Sequence, residues 1–132
     1  MVIDTSALVA IILGEPLADV LGPLVLESEA LISAISLLEA HMVLRKYLGD
    51  DAGSAIAGCI ADLDVTVIPF GEVHTTEACR AFDRYGKGRH PAALNFGDCM
   101  SYALAKVSGQ TLLFTGEDFA GTDIPSALRT HN

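Results

Sequence analysis

Val2-Ile3-Asp4-Thr5-Ser6-Ala7-Leu8-Val9-Ala10-Ile11-Ile12-Leu13-Gly14 decides the fold class. Two β-favouring residues lead into an acid and two hydroxyl residues and then an apolar stretch that Gly14 stops, which reads as a strand followed by a helix over residues 7–13. The same pattern recurs along the chain. Pro16 suits the first turn of a second helix running towards Glu29. Residues 30–33 read as a strand, and Ser36 as the cap of a helix that carries Leu37, Leu38, His41, Met42, Leu44 and Arg45 and stops at Gly49. A further helix is expected over residues 51–63, before Val65-Thr66-Val67-Ile68-Pro69, a short buried strand. Residues 75–85 are helical, and Gly86-Lys87-Gly88-Arg89-His90-Pro91 is a loop. Asn95 opens a helix that continues to Val107 and ends at Ser108-Gly109, and Thr111-Leu112-Leu113-Phe114 is a fourth strand. The tail, residues 116–132, should hold a loop, a short strand near Ile124 and a closing helical turn. Apolar strands of four or five residues alternating with helices are the mark of an α/β fold whose mainly parallel sheet is covered on both faces.

At 132 residues with 51% apolar content, the chain is expected to form one domain, residues 1–132, without a disulfide or structural metal. Such composition excludes disorder as the dominant state. Against 17 acidic residues stand 8 Lys plus Arg, a net charge of −9 that argues against a nucleic-acid partner unless the acids are grouped away from a basic rim. Cys59, Cys79 and Cys99 stand singly, make no zinc-ligand spacing with the histidines, and read as small buried hydrophobes in a reducing compartment. The apolar run 7–13 is too short to span a bilayer, and Asp4 sits where a signal peptide carries basic residues. The expectation is a cytoplasmic protein with no membrane contact.

In open parallel sheets, ligands bind outside the carboxyl ends of the strands. Asp4 directly follows the first strand and Asp118 follows the fourth by a few residues, with Glu117 beside it competing for any role. Glu39 and Asp98 fall near the starts of two helices. Each acid has a local explanation: Asp4 as a helix cap, Asp98 as half of a capping box with Asn95, Glu39 as a first-turn acid, Asp118 as a turn residue. Those explanations do not account for four acids converging on one end of a sheet, where repulsion would cost several kcal/mol unless cations offset it. Hard, oxygen-preferring ions such as Mg²⁺ or Mn²⁺ are the natural complement, and a pair about 3.5–4 Å apart would suit phosphodiester hydrolysis. The other acids, Glu27, Glu29, Asp50, Asp51, Asp62 and Asp64, read as solvated helix faces.

The opening Val2-Ile3-Asp4-Thr5-Ser6-Ala7-Leu8, Glu39 within its apolar helix, the segment Gly86-Lys87-Gly88-Arg89-His90-Pro91-Ala92-Ala93-Leu94-Asn95-Phe96-Gly97-Asp98-Cys99, and Leu112-Leu113-Phe114-Thr115-Gly116-Glu117-Asp118-Phe119 together resemble a PIN-domain ribonuclease over nearly the whole length. More narrowly, the chain resembles the VapC-type toxins of bacterial type II toxin–antitoxin systems. The resemblance implies a PIN-like three-layer α/β/α sandwich and a Mg²⁺- or Mn²⁺-dependent endoribonuclease. Asp4, Glu39, Asp98 and Asp118 would be its catalytic and metal-holding acids, supported by the hydroxyls of Thr115 and Ser6. It further implies structured RNA (tRNA or ribosomal RNA) as substrate, a VapB-type antitoxin, a homodimer, and operator DNA reached only through the antitoxin.

Four of the eight basic residues, Arg80, Arg84, Lys87 and Arg89, lie within ten positions just before Asp98. Arg84, Lys87 and Arg89 are the candidate RNA contacts, set against the simpler reading of a solvated helix end. Tyr47, Tyr85 and Tyr102 are too scattered to form a stacking platform. Two rival functions remain. An aspartate-nucleophile phosphatase wants a second acid two residues after the first, where Ser6 stands. A PIN-like RNA- or protein-binding module without catalysis would be expected to have lost acids, and all four are present.

Overall fold

Strand β1 (Val2–Ile3) ends at Asp4, whose backbone is still extended (φ −76°, ψ 156°) and whose carboxylate accepts the Ser6 N–H, so helix α1 (Thr5–Leu13) begins one residue after the strand. The helix closes on Gly14 in the left-handed conformation at φ 65°, which glycine adopts without a Cβ clash. This is a computed structural model that describes residues 1–128. Across Gly14 to Leu17 the chain turns by 115° into α2 (Ala18–Leu26). That helix is shorter at both ends than expected, and Pro16 lies in the turn before it.

The next units are β2 (Leu31–Ser33), α3 (Ala34–Leu48), a 3₁₀ turn (Gly49–Asp51), α4 (Ala52–Asp62) and β3 (Thr66–Ile68). They are followed by α5 (Glu72–Tyr85), α6 (Phe96–Ser108) and β4 (Leu112–Leu113). The cap of α3 is Ser33, whose hydroxyl accepts from Ile35 N, and not Ser36, which lies one turn inside the helix and is buried. The strand runs into its helix without a loop here too, which moves the cap onto the last strand residue. Helix α5 starts three residues earlier than expected, at Glu72, where the His74 Nδ1 accepts the Gly71 N–H at 3.0 Å in the place that a capping-box Glu or Gln takes.

All pairings in the sheet are parallel, in the order β3-β2-β1-β4. The tail adds one parallel bridge, Ser126 to Leu112, two residues past the strand expected near Ile124. Residues 129–132, where that tail was expected to close, lie outside the described residues. Strand alternation sorts the core into two layers. Ile3, Ile32 and Leu113 point to one face, where they meet Leu8, Leu21, Val25, Leu44 and Ile56 from α1–α4. Val2 and Leu112 point to the other, where Leu94, Tyr85, Tyr102, Leu104 and Phe119 gather around α5 and α6. The result is the expected α/β/α layering. β3 departs from expectation: Thr66 and Val67 are exposed, because the strand is the sheet's edge. Among the described residues no single helix is long and apolar enough to cross a membrane.

Candidate active site

The chain builds β1, β2 and β3 outwards in one direction, then returns to place β4 on the other side of β1. Parallel sheets open a crevice at such a reversal, at the carboxyl ends of the strands. Asp4 terminates β1 and Thr115 follows β4 at that point, and the two segments are pinned together. The Thr115 N–H donates to Ser6 Oγ at 3.1 Å, and the Ser6 hydroxyl donates to Asp4 Oδ2 at 2.6 Å. The same Oδ2 accepts the Ser6 N–H at 3.0 Å. Ser6 therefore ties a residue 109 positions away to the carboxylate it caps.

Asp98 is placed by a reciprocal capping box at the start of α6: its N–H donates to Asn95 Oδ1 at 2.8 Å and its Oδ2 accepts the Asn95 N–H at 3.0 Å. The local explanations of Asp4 and Asp98 are thus both correct as far as they go, since each spends Oδ2 on a cap. Neither Oδ1 has a partner among the described residues, and neither is sealed from solvent.

Asp98 is buried at 8% exposure, and its pKa is raised to about 6. Burial is the main cause; the Asn95 N–H opposes it, and the negative charges of Asp118, Asp4 and Glu39 add to it. The fold thus brings the fields of the three other acids onto the Asp98 carboxylate, from the end of β1, from α3 and from the loop after β4. Between the two neighbouring candidates, Asp118 bears on Asp98, and Glu117 does not figure among the charges that do. Glu39 is half-buried, with its carboxylate against Gly97. None of the ion pairs among the described residues involves any of the four, so their charge is uncompensated by Lys or Arg. As placed, no three His, Cys, Asp or Glu side chains among the described residues close into a ligand set for an ion. The donors themselves are carboxylate oxygens, the set that a hard divalent cation prefers.

Of the basic residues, Arg84 is otherwise engaged: it lies 4.0 Å from Asp123 and 4.9 Å over the Tyr85 ring. Asp123 also accepts from Tyr102 Oη at 2.6 Å and Lys106 Nζ at 2.8 Å, a clamp holding the tail loop to α6 that the sequence reading passed over. Although burial works against it, these donors hold Asp123 below the usual carboxylate range. Arg80 pairs with Glu77 at 2.7 Å. Lys87 and Arg89 are exposed and outside any ion pair, with Arg89 5.6 Å over the Phe82 ring. Cys99 is buried as expected, and burial first, then Asp98 and Cys79, raises its thiol to about 11; Cys79 is exposed, contrary to its reading as core.

The sequence reading also missed a cleft of about 530 Å³ between α3 and the first turn of α6. Glu39, Met42, Lys46, Phe96 and Gly97 line it, and Phe96 is 75% exposed. The sequence shows only an apolar residue between the cap Asn95 and Gly97; that Phe96 stays uncovered is a property of the packing.

A family model for the PIN domain matches residues 1–125. A ribonuclease VapC of Mycolicibacterium smegmatis is 46% identical over 125 residues, covering 94% of this chain and 97% of the relative. Ribonuclease VapC30 of Mycobacterium tuberculosis is 44% identical over 125 residues, covering 94% and 95%. Among solved structures, Mycobacterium tuberculosis VapC20, described as a sarcin-ricin loop cleaving toxin, superposes with a TM-score of 0.75 at 19% identity, covering 93% of this chain and 95% of that one. A chain of a toxin–antitoxin complex from Klebsiella pneumoniae gives 0.67 at 18% identity, with 92% of each covered. At these identities the two structures speak for the fold.

Proposed function

The chain belongs to the PIN-domain family and, within it, to the VapC ribonucleases, and on that premise we propose that it is a Mg²⁺- or Mn²⁺-dependent endoribonuclease, the toxin of a VapB–VapC-type pair, cutting structured RNA such as tRNA or ribosomal RNA. The observation that carries this reading is the convergence of Asp4, Glu39 and Asp118 on buried Asp98 with no basic side chain to offset them. A divalent ion in that field would supply a water acidified towards neutral pH and charge stabilisation for the leaving oxygen.

The chain's own residues divide the rest of the work. Asp4 and Asp98, each rigidly capped through Oδ2, present the partnerless Oδ1 for the ion. Glu39 and Asp118 complete the negative field from α3 and the loop after β4, and Asp118 is the fourth acid in preference to Glu117. Ser6 fixes the Asp4 rotamer and, through the Thr115 N–H, the distance between the two sides of the crevice. The Thr115 hydroxyl is the second supporting group of this proposal. Exposed Lys87, Arg89 and Arg84 are the RNA phosphate contacts, Arg84 lying also 4.0 Å from Asp123 and 4.9 Å over the Tyr85 ring. A VapB-type antitoxin, a homodimer and operator DNA reached through the antitoxin belong to the same proposal.

The test is incubation of total RNA with the wild type and with Asp4→Asn, in Mg²⁺ and in EDTA, with the cut ends mapped. Attack by water leaves a 5′-phosphate and a 3′-hydroxyl, without participation of the RNA 2′-hydroxyl. Cyclic 2′,3′-phosphate ends, or cleavage that survives both EDTA and Asp4→Asn, would refute it. A non-catalytic PIN module would retain RNA without cutting it.

A further inference from the structure

Asp4 and Asp98 are held by caps, and Glu39 is carried by the long helix α3. Asp118 differs from all three. It lies exposed on the loop after β4, and its side chain makes no hydrogen bond or ion pair among the described residues. Its place must therefore come from whatever holds the loop. Upstream, the loop is tied at Thr115 to Ser6. Downstream, the chain curls into a compact turn. The Ala120 N–H donates to the Glu117 carbonyl at 3.1 Å, and the Thr122 N–H and hydroxyl donate to the Phe119 carbonyl at 3.0 and 2.8 Å. Phe119 itself is buried against Phe114. Asp118 thus belongs to a small folded unit whose far end is Asp123.

Asp123 docks this unit on α6. Its Oδ1 accepts from Tyr102 Oη at 2.6 Å and its Oδ2 from Lys106 Nζ at 2.8 Å, with the Arg84 guanidinium 4.0 Å away. Asp98, Tyr102 and Lys106 are spaced four apart on α6, so they share a face, with about 6 Å of axial rise between successive members. One rigid helix thereby carries Asp98 in its first turn and, one and two turns on, the donors that grip the Asp118 loop. A partly exposed ion pair such as Lys106 with Asp123 contributes little to stability. Two short hydrogen bonds on opposite oxygens of one carboxylate do, however, fix where the loop sits. Across this joint the negative charge of Asp118 already bears on Asp98.

Resting on the endoribonuclease reading, we infer that Asp123 is a positioning residue: gripped by Tyr102 and Lys106, it sets Asp118 at a fixed place relative to Asp98 and so completes the carboxylate set for the divalent ion. It touches neither ion nor RNA itself. Without the grip the loop still forms its turn, but it delivers Asp118 over a spread of positions, and the ion is left with three well-placed acids.

The test uses the full chain as wild type, Asp123→Asn, Tyr102→Phe, Asp118→Asn, and Asp118→Asn combined with Asp123→Asn. Mn²⁺ affinity is read from the EPR signal of the free ion, loop order from amide exchange in metal-free protein, and RNA cleavage separately. Asp123→Asn should speed exchange at the Ala120 and Thr122 amides while those of α3 hold their rates. It should weaken Mn²⁺ binding about tenfold, the low end of the roughly 10- to 100-fold that losing a supporting partner costs a metal site, and lower kcat at an unchanged KM for RNA. Tyr102→Phe keeps the ring in the core and should repeat the pattern at smaller size; it carries the comparison if Asp123→Asn does not fold. Asp123→Glu, which keeps a charge for Lys106, should recover part of the affinity. In the Asp118→Asn background, Asp123→Asn should cost nothing further, because the residue it acts through is gone. An equal loss in both backgrounds overturns the inference, as does wild-type Mn²⁺ affinity in both Asp123→Asn and Tyr102→Phe. A raised KM with kcat intact also overturns it and assigns Asp123 to holding Arg84 for RNA. Mn²⁺ binding that depends on Asp118 and Asp123, without cleavage of any RNA, keeps the positioning role and sinks the nuclease reading. EDTA-sensitive cleavage indifferent to Asp123→Asn and Tyr102→Phe does the reverse. Absence of both Mn²⁺ binding and cleavage overturns both.

Discussion

The carboxylate of Glu39 fills the space that a Cβ on Gly97 would take, so α3 and α6 meet across the residue that precedes Asp98. Gly97→Ala must push that carboxylate aside. The obstacle is the far end of a flexible side chain, and alanine favours the helix over glycine by up to about 1 kcal/mol. The melting temperature should therefore hold or rise slightly while RNA cleavage falls at least tenfold. Wild-type turnover in this variant would mean that the position of Glu39 does not matter to the reaction.

Asp98 predicts a pH dependence in metal-free protein. Its folded pKa, about 6, lies above the ordinary 3.8, so the native state binds more protons than the unfolded one between these values. Stability then falls as pH rises from about 4 to 6 and stays lower above that. Asp98→Asn keeps an oxygen for the Asn95 N–H and removes the penalty. In EDTA at pH 7.5 it should be more stable than the wild type by up to about 3 kcal/mol, with the gap closing below pH 4. Urea titrations at the two pH values measure this, and a gap independent of pH would contradict it.

Ser6→Ala removes the hydroxyl that joins Asp4 to the Thr115 N–H. One hydrogen bond to a carboxylate disappears and one backbone donor loses its partner, a combined cost of about 2–3 kcal/mol in denaturant melts. Cleavage should fall by more than the lost stability explains, because the Asp4 rotamer and the β4 loop are released together. Activity matching the wild type at a temperature where the variant is fully folded would make Ser6 purely structural.

The basic loop predicts a graded salt response. Lys87→Gln with Arg89→Gln should flatten the salt dependence of RNA binding by about 0.7 for each lost contact. Arg84→Gln should flatten the slope by less than either loop residue, since Arg84 lies also 4.0 Å from Asp123. A slope left unchanged by Lys87→Gln with Arg89→Gln would remove the loop from the RNA contacts.

Ion binding to the four carboxylates should stabilise the fold by mass action. At 100 times its Kd, Mg²⁺ should contribute about 2.7 kcal/mol. A rise in melting temperature with Mg²⁺ that Asp4→Asn removes is the expected calorimetric result. An unchanged wild-type melting temperature in Mg²⁺ and in Mn²⁺ would tell against the ion.

Much of this molecule is legible in its residues because its local rules are strict. Asp4, and Asn95 with Asp98, occupy cap positions that the sequence spacing alone defines, and the structure puts their side chains on those N–H groups. The assignment of α3 slipped because Ser33 and Ser36 both qualify as caps, and only sheet register decides where the strand ends. The strand Thr66–Ile68 reads as buried from its composition; its exposure follows from strand order, a long-range property. Arg84 is read with its basic neighbours in sequence, while Asp123, 4.0 Å from it, lies 39 residues on and is visible only in the fold. Phe96 went unnoticed for the same reason: an apolar residue before a glycine looks like core until the packing shows nothing over it.

β1 is formed by the first residues of the chain, yet one of its two neighbours is β4, through Val2 with Leu112 and Ile3 with Leu113. The Ser6 tie to Thr115 lies beyond that pairing. Asp4 and Glu39 precede Asp98 and Asp118 in the chain, so the four acids can meet only once α6 and the loop after β4 are in place beside β1. A stretch of chain that stops short of α6 thus carries Asp4 and Glu39 but has nothing on which the four carboxylates can gather.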